Sequence, residues 1–75
     1  MTLREVLAEN LKRHRLATGL SQEELAHRAE IDRTYVSSLE RCQYSATVDM
    51  IEKLARVLGV EAAELLVVPS AASKT

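Results

Sequence analysis

The chain has 75 residues, 47% of them hydrophobic, with neither Phe nor Trp and a formal net charge of −1. That length suits one small domain, whose core has to be assembled from Leu, Val, Ile, Ala and Met. No apolar run approaches the length that crosses a bilayer and residues 1–20 lack a signal-peptide core, so a cytoplasmic protein with no membrane partner is expected.

In chain order, the first predicted helix runs from Leu3 to about Thr18. Thr2 with Glu5 forms a capping box, and Gly19 suits the position just past the end. Leu3, Val6, Leu7, Leu11 and Leu16 give an apolar stripe at helical spacing. The basic run LKRHR at 11–15 reads either as a solvated helix end favoured by the macrodipole or as a phosphate contact. Ser21 with Glu24 is a second capping box, opening a short helix to Arg28 or Ala29 with Leu25, Ala26 and Ala29 inward. A tight connection through Glu30 and Ile31 leads to Asp32, the N-cap of a third helix over Arg33–Glu40, with Val36 and Leu39 inward. Residues 41–46, RCQYSA, form a loop. Thr47 caps a fourth helix with the stripe Val48, Ile51, Leu54, Ala55 and Leu58, closed by Gly59. A fifth short helix is predicted over about Glu61–Val67, bearing Leu65 and Leu66, and Pro69 ends it. The expectation is an all-α, compact five-helix domain in residues 1–68 with a disordered tail over 69–75.

Cys42 stands alone, so an internal disulfide is excluded, and neither it nor His14 and His27 has metal-ligand spacing. No metal or other cofactor is expected. No Ser/His/Asp set, paired carboxylates or Gly-rich phosphate loop is present, and an enzyme is not expected. The overall charge by itself speaks against a nucleic-acid partner, but residues 1–41 hold seven basic side chains, enough for a basic strip if the acidic ones lie elsewhere. Residues 21–40 show two short helices joined by a tight turn, the mark of a helix-turn-helix unit. Ala26 permits close packing of the pair, and Ile31 plugs the turn. The second helix keeps Arg33, Thr34, Ser37 and Ser38 off its apolar stripe, with Tyr35 at the border, as a helix entering a major groove requires.

The stretch GLSQEELAHRAEIDRTYVSSLER resembles the helix-turn-helix regulators of the lambda repressor and Cro type, the XRE family. TVDMIEKLARVLGV is similar to the helix that comes next in that family, and the likeness covers about residues 5–67. DRTYVSSLER also resembles the small controller proteins of restriction-modification systems, which are homodimers of similar length. The resemblance implies a lambda-repressor-like fold and binding to double-stranded DNA. Gln22 would bond a phosphate, and Arg33, Thr34, Ser37 and Ser38 would lie in the major groove. Arg33 is the prime base reader, since its fork matches guanine O6 and N7. Tyr35 would meet phosphate or sugar, and Gln43 and Tyr44 would grip the next phosphates. Structural alternatives stand beside these. Gln22 suits a first helical turn, Arg33 can pair with Glu30, Tyr35 can fill a core edge, and Glu40 and Arg41 can pair with the first helix. Glu30 and Cys42 stand where the family often has Gly, and slight adjustment of both turns is expected.

One module reads few base pairs, so a two-fold dimer on half-sites about 34 Å apart is expected. Leu65, Leu66, Val67 and Val68 are assigned to the dimer contact, with Met50 and Val57 as additions; the alternative is that they lid the core. The reading is a sequence-specific homodimeric transcription regulator on a palindromic operator. Glu23, Glu24 and Glu30 offer an acidic contact for RNA polymerase. The alternative is a protein-interaction module or antitoxin-like partner with the same fold, in which Arg33 has no role in partner binding.

Overall fold

Side chains that bond their own backbone set where each helix begins. In the computed structural model, which describes residues 2–68, α1 spans Leu3–Ala17, α2 Gln22–Ala29, α3 Arg33–Glu40 and α4 Val48–Leu58, followed by a 3-10 helix at Ala62–Leu66. Thr2, Ser21, Asp32 and Thr47 precede the four α-helices in extended conformation. Each side-chain oxygen accepts from a backbone N–H of the first turn, satisfying a donor that has no partner within the helix. At two of these caps the bond is reciprocal: the Thr2 N–H donates to Glu5 Oε1 at 2.7 Å and the Ser21 N–H to Glu24 Oε1 at 2.9 Å.

The four α-helices also end alike. Gly19, Glu30, Cys42 and Gly59 have φ of 76°, 59°, 60° and 73°. The N–H of the next residue bonds the carbonyl five positions back, as Leu20 to Arg15, Ile31 to Ala26, Gln43 to Ser38 and Val60 to Ala55. This is the left-handed terminator that returns the chain across the last turn. The turns at Glu30 and Cys42 do not adjust to the missing glycines, contrary to the expectation from sequence. The two hydrogen bonds that each terminator closes hold the backbone left-handed despite a Cβ.

Every element contributes a leucine to the centre: Leu11, Leu25, Leu39, Leu54 and Leu65 are fully buried, joined by Val6 and Val36. The order of packing is α1 on α3 and the 3-10 helix, α2 on α3 and α4, and α4 on the 3-10 helix. Three residues of the predicted stripes face water instead: Leu3 is 62% exposed, Leu16 59% and Val48 82%. Leu16 loses its place because Arg15, four residues beyond Leu11, occupies the next inward slot of the 3.6-residue period. Leu3 and Val48 open their helices and lie beyond the packed faces.

The predicted fifth helix is a five-residue 3-10 turn. Five residues fall short of the length that repays α-helix nucleation, and the segment is held from outside. Leu65 anchors it in the core, and the buried Asn10 on α1 donates from Nδ2 to the carbonyls of Leu65 and Val67 at 2.9 and 2.7 Å. Leu65, expected at a dimer surface, is therefore a core residue, 0% exposed. The expected tail over 69–75, with Pro69, lies outside the described residues. Among the described residues no helix is long and apolar enough to cross a membrane.

Candidate nucleic-acid interface

Helices α2 and α3 form the two arms of the unit. Ala26 and Ala29 are buried on α2 and Val36 and Leu39 on α3, and small alanines let the second helix sit close. Ile31 is half-buried against the core, filling the inside of the turn. With the apolar side of α3 committed inward, its other side is left to polar groups.

A buried ion pair holds α3 at its far end. Arg15 of α1 donates from Nε to Glu40 Oε2 at 2.6 Å and from Nη2 to Oε1 at 3.0 Å, a bidentate grip, while its Nη1 donates to the Leu20 carbonyl at 2.8 Å. Both side chains are nearly sealed, at 10% and 4% exposure. The carboxylate bond pushes the Arg15 guanidinium further above its already high pKa. Gln22, at the first position of α2, donates from Nε2 to the same Glu40 Oε1 at 3.1 Å. One carboxylate thus ties α1, α2 and α3 together and aims the half-buried Gln22. Of the basic run at 11–15, Arg15 is thereby committed inside the fold and is no phosphate contact. Arg13 donates from Nη2 to Asn10 Oδ1 at 2.9 Å, while Lys12 is exposed.

At the near end, Asp32 Oδ1 accepts from the Thr34 N–H at 2.9 Å and from its hydroxyl at 2.8 Å. These bonds, the backbone one foremost, hold the Asp32 carboxyl below its ordinary pKa. Thr34, expected in the major groove, is thus bonded to the cap, with lone pairs still available on its oxygen. Arg33 is exposed and makes no ion pair among the described residues, so the alternative pairing with Glu30 is not made. Ser37 and Ser38 are half-buried along the same helix.

Past α3 the left-handed turn at Cys42 brings the loop back over the helix. Gln43 is exposed, its N–H donating to the Ser38 carbonyl at 2.9 Å. The Tyr44 hydroxyl lies 3.2 Å from that of Tyr35, and the rings meet edge to face with centroids 4.9 Å apart. Thr34, Tyr35, Ser38 and Tyr44 border one shallow depression of about 140 Å³. The structure thus gathers four of the predicted residues into a patch, with Arg33 beside Thr34 at the start of the helix. Gln22 sits apart from these, near Glu40. The pairing of the tyrosines is not foreseeable from sequence, because nothing in a nine-residue spacing across a helix end announces it. Asn10 also escapes sequence reasoning; a lone Asn among apolar neighbours on α1 is the one available signal.

The sequence matches the helix-turn-helix family over residues 11–65. It is 49% identical over 67 residues to a hypothetical transcription factor of Neisseria meningitidis serogroup B; the match covers 89% of this chain and 63% of that protein. The crystal structure of a Neisseria hypothetical transcription factor superposes with a TM-score of 0.93 at 46% identity, covering 97% of this chain and 84% of that one. The restriction-modification controller protein C.AhdI from Aeromonas hydrophila superposes with a TM-score of 0.80 at 40% identity, covering 83% of this chain and 94% of that one. The lambda-repressor-like resemblance read in residues 5–67 is carried by the same two-helix unit. This chain belongs to the XRE-type helix-turn-helix family of DNA-binding transcription regulators.

Proposed function

We propose that the chain regulates transcription by binding as a homodimer to a two-fold symmetric operator, with α3 in the major groove of each half-site. The observation that carries this reading is the polar side of α3, where Arg33 stands exposed and unpaired among the described residues at the end of the helix that first meets base edges. Arg33 reads guanine, and Thr34, Ser37 and Ser38 contact bases or phosphates beside it. Gln22, held by Glu40, bonds a phosphate from the start of α2, and Tyr35, Gln43 and Tyr44 grip the backbone beyond. Similarity to C.AhdI supports a controller role in a restriction-modification system. The exposed Glu23, Glu24 and Glu30 are the surface we assign to RNA polymerase.

The dimer contact is assigned to Leu66, Val67 and Val68, with Met50 and Val57 beside them. Val67 and Val68 are 45% and 42% exposed, and Leu66 also borders an apolar groove of about 390 Å³ with Leu3, Val48 and Ile51. Selection of binders from a random duplex library is the direct test. A palindromic consensus with half-sites about one helical turn apart is expected. Arg33→Ala should lower discrimination at one base position of each half-site by about 1–3 kcal/mol. Recovered DNA without a consensus would overturn the reading in favour of a protein partner.

A further inference from the structure

The chain has two tyrosines and no other large aromatic residue, and the two meet in one contact at the DNA-facing end of the fold. A phenol offers one proton and two lone pairs. When two hydroxyls bond each other, one proton lies between them and the acceptor's own proton stays free. Accepting a bond polarises that second O–H and makes it a stronger donor, as in any hydrogen-bonded chain. The 3.2 Å contact between Tyr35 and Tyr44 therefore presents a single, strengthened donor at the edge of the depression bordered by Thr34 and Ser38. A negatively charged oxygen is the acceptor such a donor suits best.

We propose that Tyr35 and Tyr44 act as one unit, a two-hydroxyl relay that donates one hydrogen bond to a phosphodiester oxygen of bound DNA. The proposal rests on the reading that α3 faces DNA, and it adds that neither tyrosine works independently. Tyr44 is a positioning residue as well as a contact. Its place is fixed by the left-handed turn at Cys42 and by the Gln43 N–H to Ser38 bond, and it in turn fixes the Tyr35 ring by the edge-to-face contact. The hydrogen bond with Tyr44 also pushes the Tyr35 phenol above its ordinary pKa.

The test is a double-mutant cycle with Tyr35→Phe, Tyr44→Phe and the double variant. Each keeps its ring, and thermal unfolding checks that each folds. Binding is measured to a mixed-sequence duplex of about 30 base pairs, room for two half-sites one turn apart. Counted per half-site, loss of the hydroxyl that donates to phosphate should weaken binding about tenfold, the worth of a hydrogen bond to a charged acceptor, and loss of the other should weaken it by less, through the polarising bond alone. The double variant should lose no more than the larger single loss, because there is one donor to phosphate to remove. In the free protein, ultraviolet titration should show Tyr35 ionising at lower pH in the Tyr44→Phe variant than in the parent, since the bond that raises it is gone. Single losses of about tenfold per half-site that multiply in the double variant would mean two independent contacts and overturn the relay. So would a Tyr44→Phe variant that binds as tightly as the parent, or one that leaves the Tyr35 ionisation unmoved. Failure of the parent protein itself to bind the duplex would overturn the DNA-face reading, and the relay with it.

Discussion

Glu30 and Cys42 are held at φ of 59° and 60°, where a side chain with a Cβ is disfavoured by roughly 1–2 kcal/mol. Glu30 carries a second penalty, since its carboxylate lies at the C-terminus of α2, the negative end of the helix dipole. Glu30→Gly should therefore stabilise the fold. Allowing for the extra freedom glycine gives the unfolded chain, the gain should be about 0.5–1 kcal/mol. For a domain of this size each kcal/mol raises the thermal midpoint by about 4–8 °C, a shift that circular dichroism resolves. Cys42→Gly should give a smaller gain, because it relieves the backbone alone. A lowered midpoint in Glu30→Gly would show that the carboxylate makes a stabilising interaction of its own. Glycine at these two places was implied by the sequence's resemblance to its family. That the turns would stay left-handed was not, because that depends on the carbonyls of Ala26, His27, Ser38 and Leu39 accepting the closing bonds.

Helix starts should respond to acid. Glu5, Glu24 and Asp32 all titrate below their ordinary values, chiefly because each accepts a backbone N–H, from Thr2, Ser21 and Thr34. A carboxyl whose folded pKa is depressed contributes stability that is fully present above its unfolded value and lost as pH falls through the folded one. The thermal midpoint should hold steady from neutral pH down to about 5 and then decline as these caps are protonated. Glu24→Gln should be less stable at neutral pH and decline less in acid, since it lacks one of the three groups. Parallel declines in parent and variant would show that Glu24 carries none of the effect. These caps were readable because each bond joins residues two or three apart. Arg15 and Glu40 are 25 residues apart, and Asn10 reaches carbonyls 55 and 57 away, so no local pattern could assign those bonds. For Arg15 and Glu40 the sequence offered only the open alternative that Glu40 pairs with the first helix. The same distance hid the fate of Leu65, whose spacing beside Leu66 fits a surface pair as well as a core anchor.

At the scale of the whole molecule, with Leu65 sealed in the core, the surface assigned to dimerisation narrows to the end of the 3-10 helix and the two valines after it. Val67 and Val68 are exposed, while the Val67 carbonyl is held by Asn10. Their backbone is thus positioned by α1 even though their side chains face water, so a change of side chain can separate assembly from folding. Val67→Asp with Val68→Asp should leave the thermal midpoint of the dilute monomer nearly unchanged, as exposed substitutions do. The same pair of charges facing its own symmetry copy at a two-fold interface would oppose dimerisation, because each subunit brings the same patch. Sedimentation should then give a monomer at concentrations where the parent, as proposed, sediments as a dimer. Affinity for an operator with two half-sites should fall by on the order of 10² or more, since the second half-site no longer binds at the effective concentration set by the first. Affinity for an isolated half-site should be unchanged, because α3 is distant in sequence from the substitutions and is held by Glu40 through Arg15. A double variant that still sediments as a dimer would move the interface elsewhere on the surface, with the apolar groove at Leu3 and Val48 the next to test by the same charge substitution.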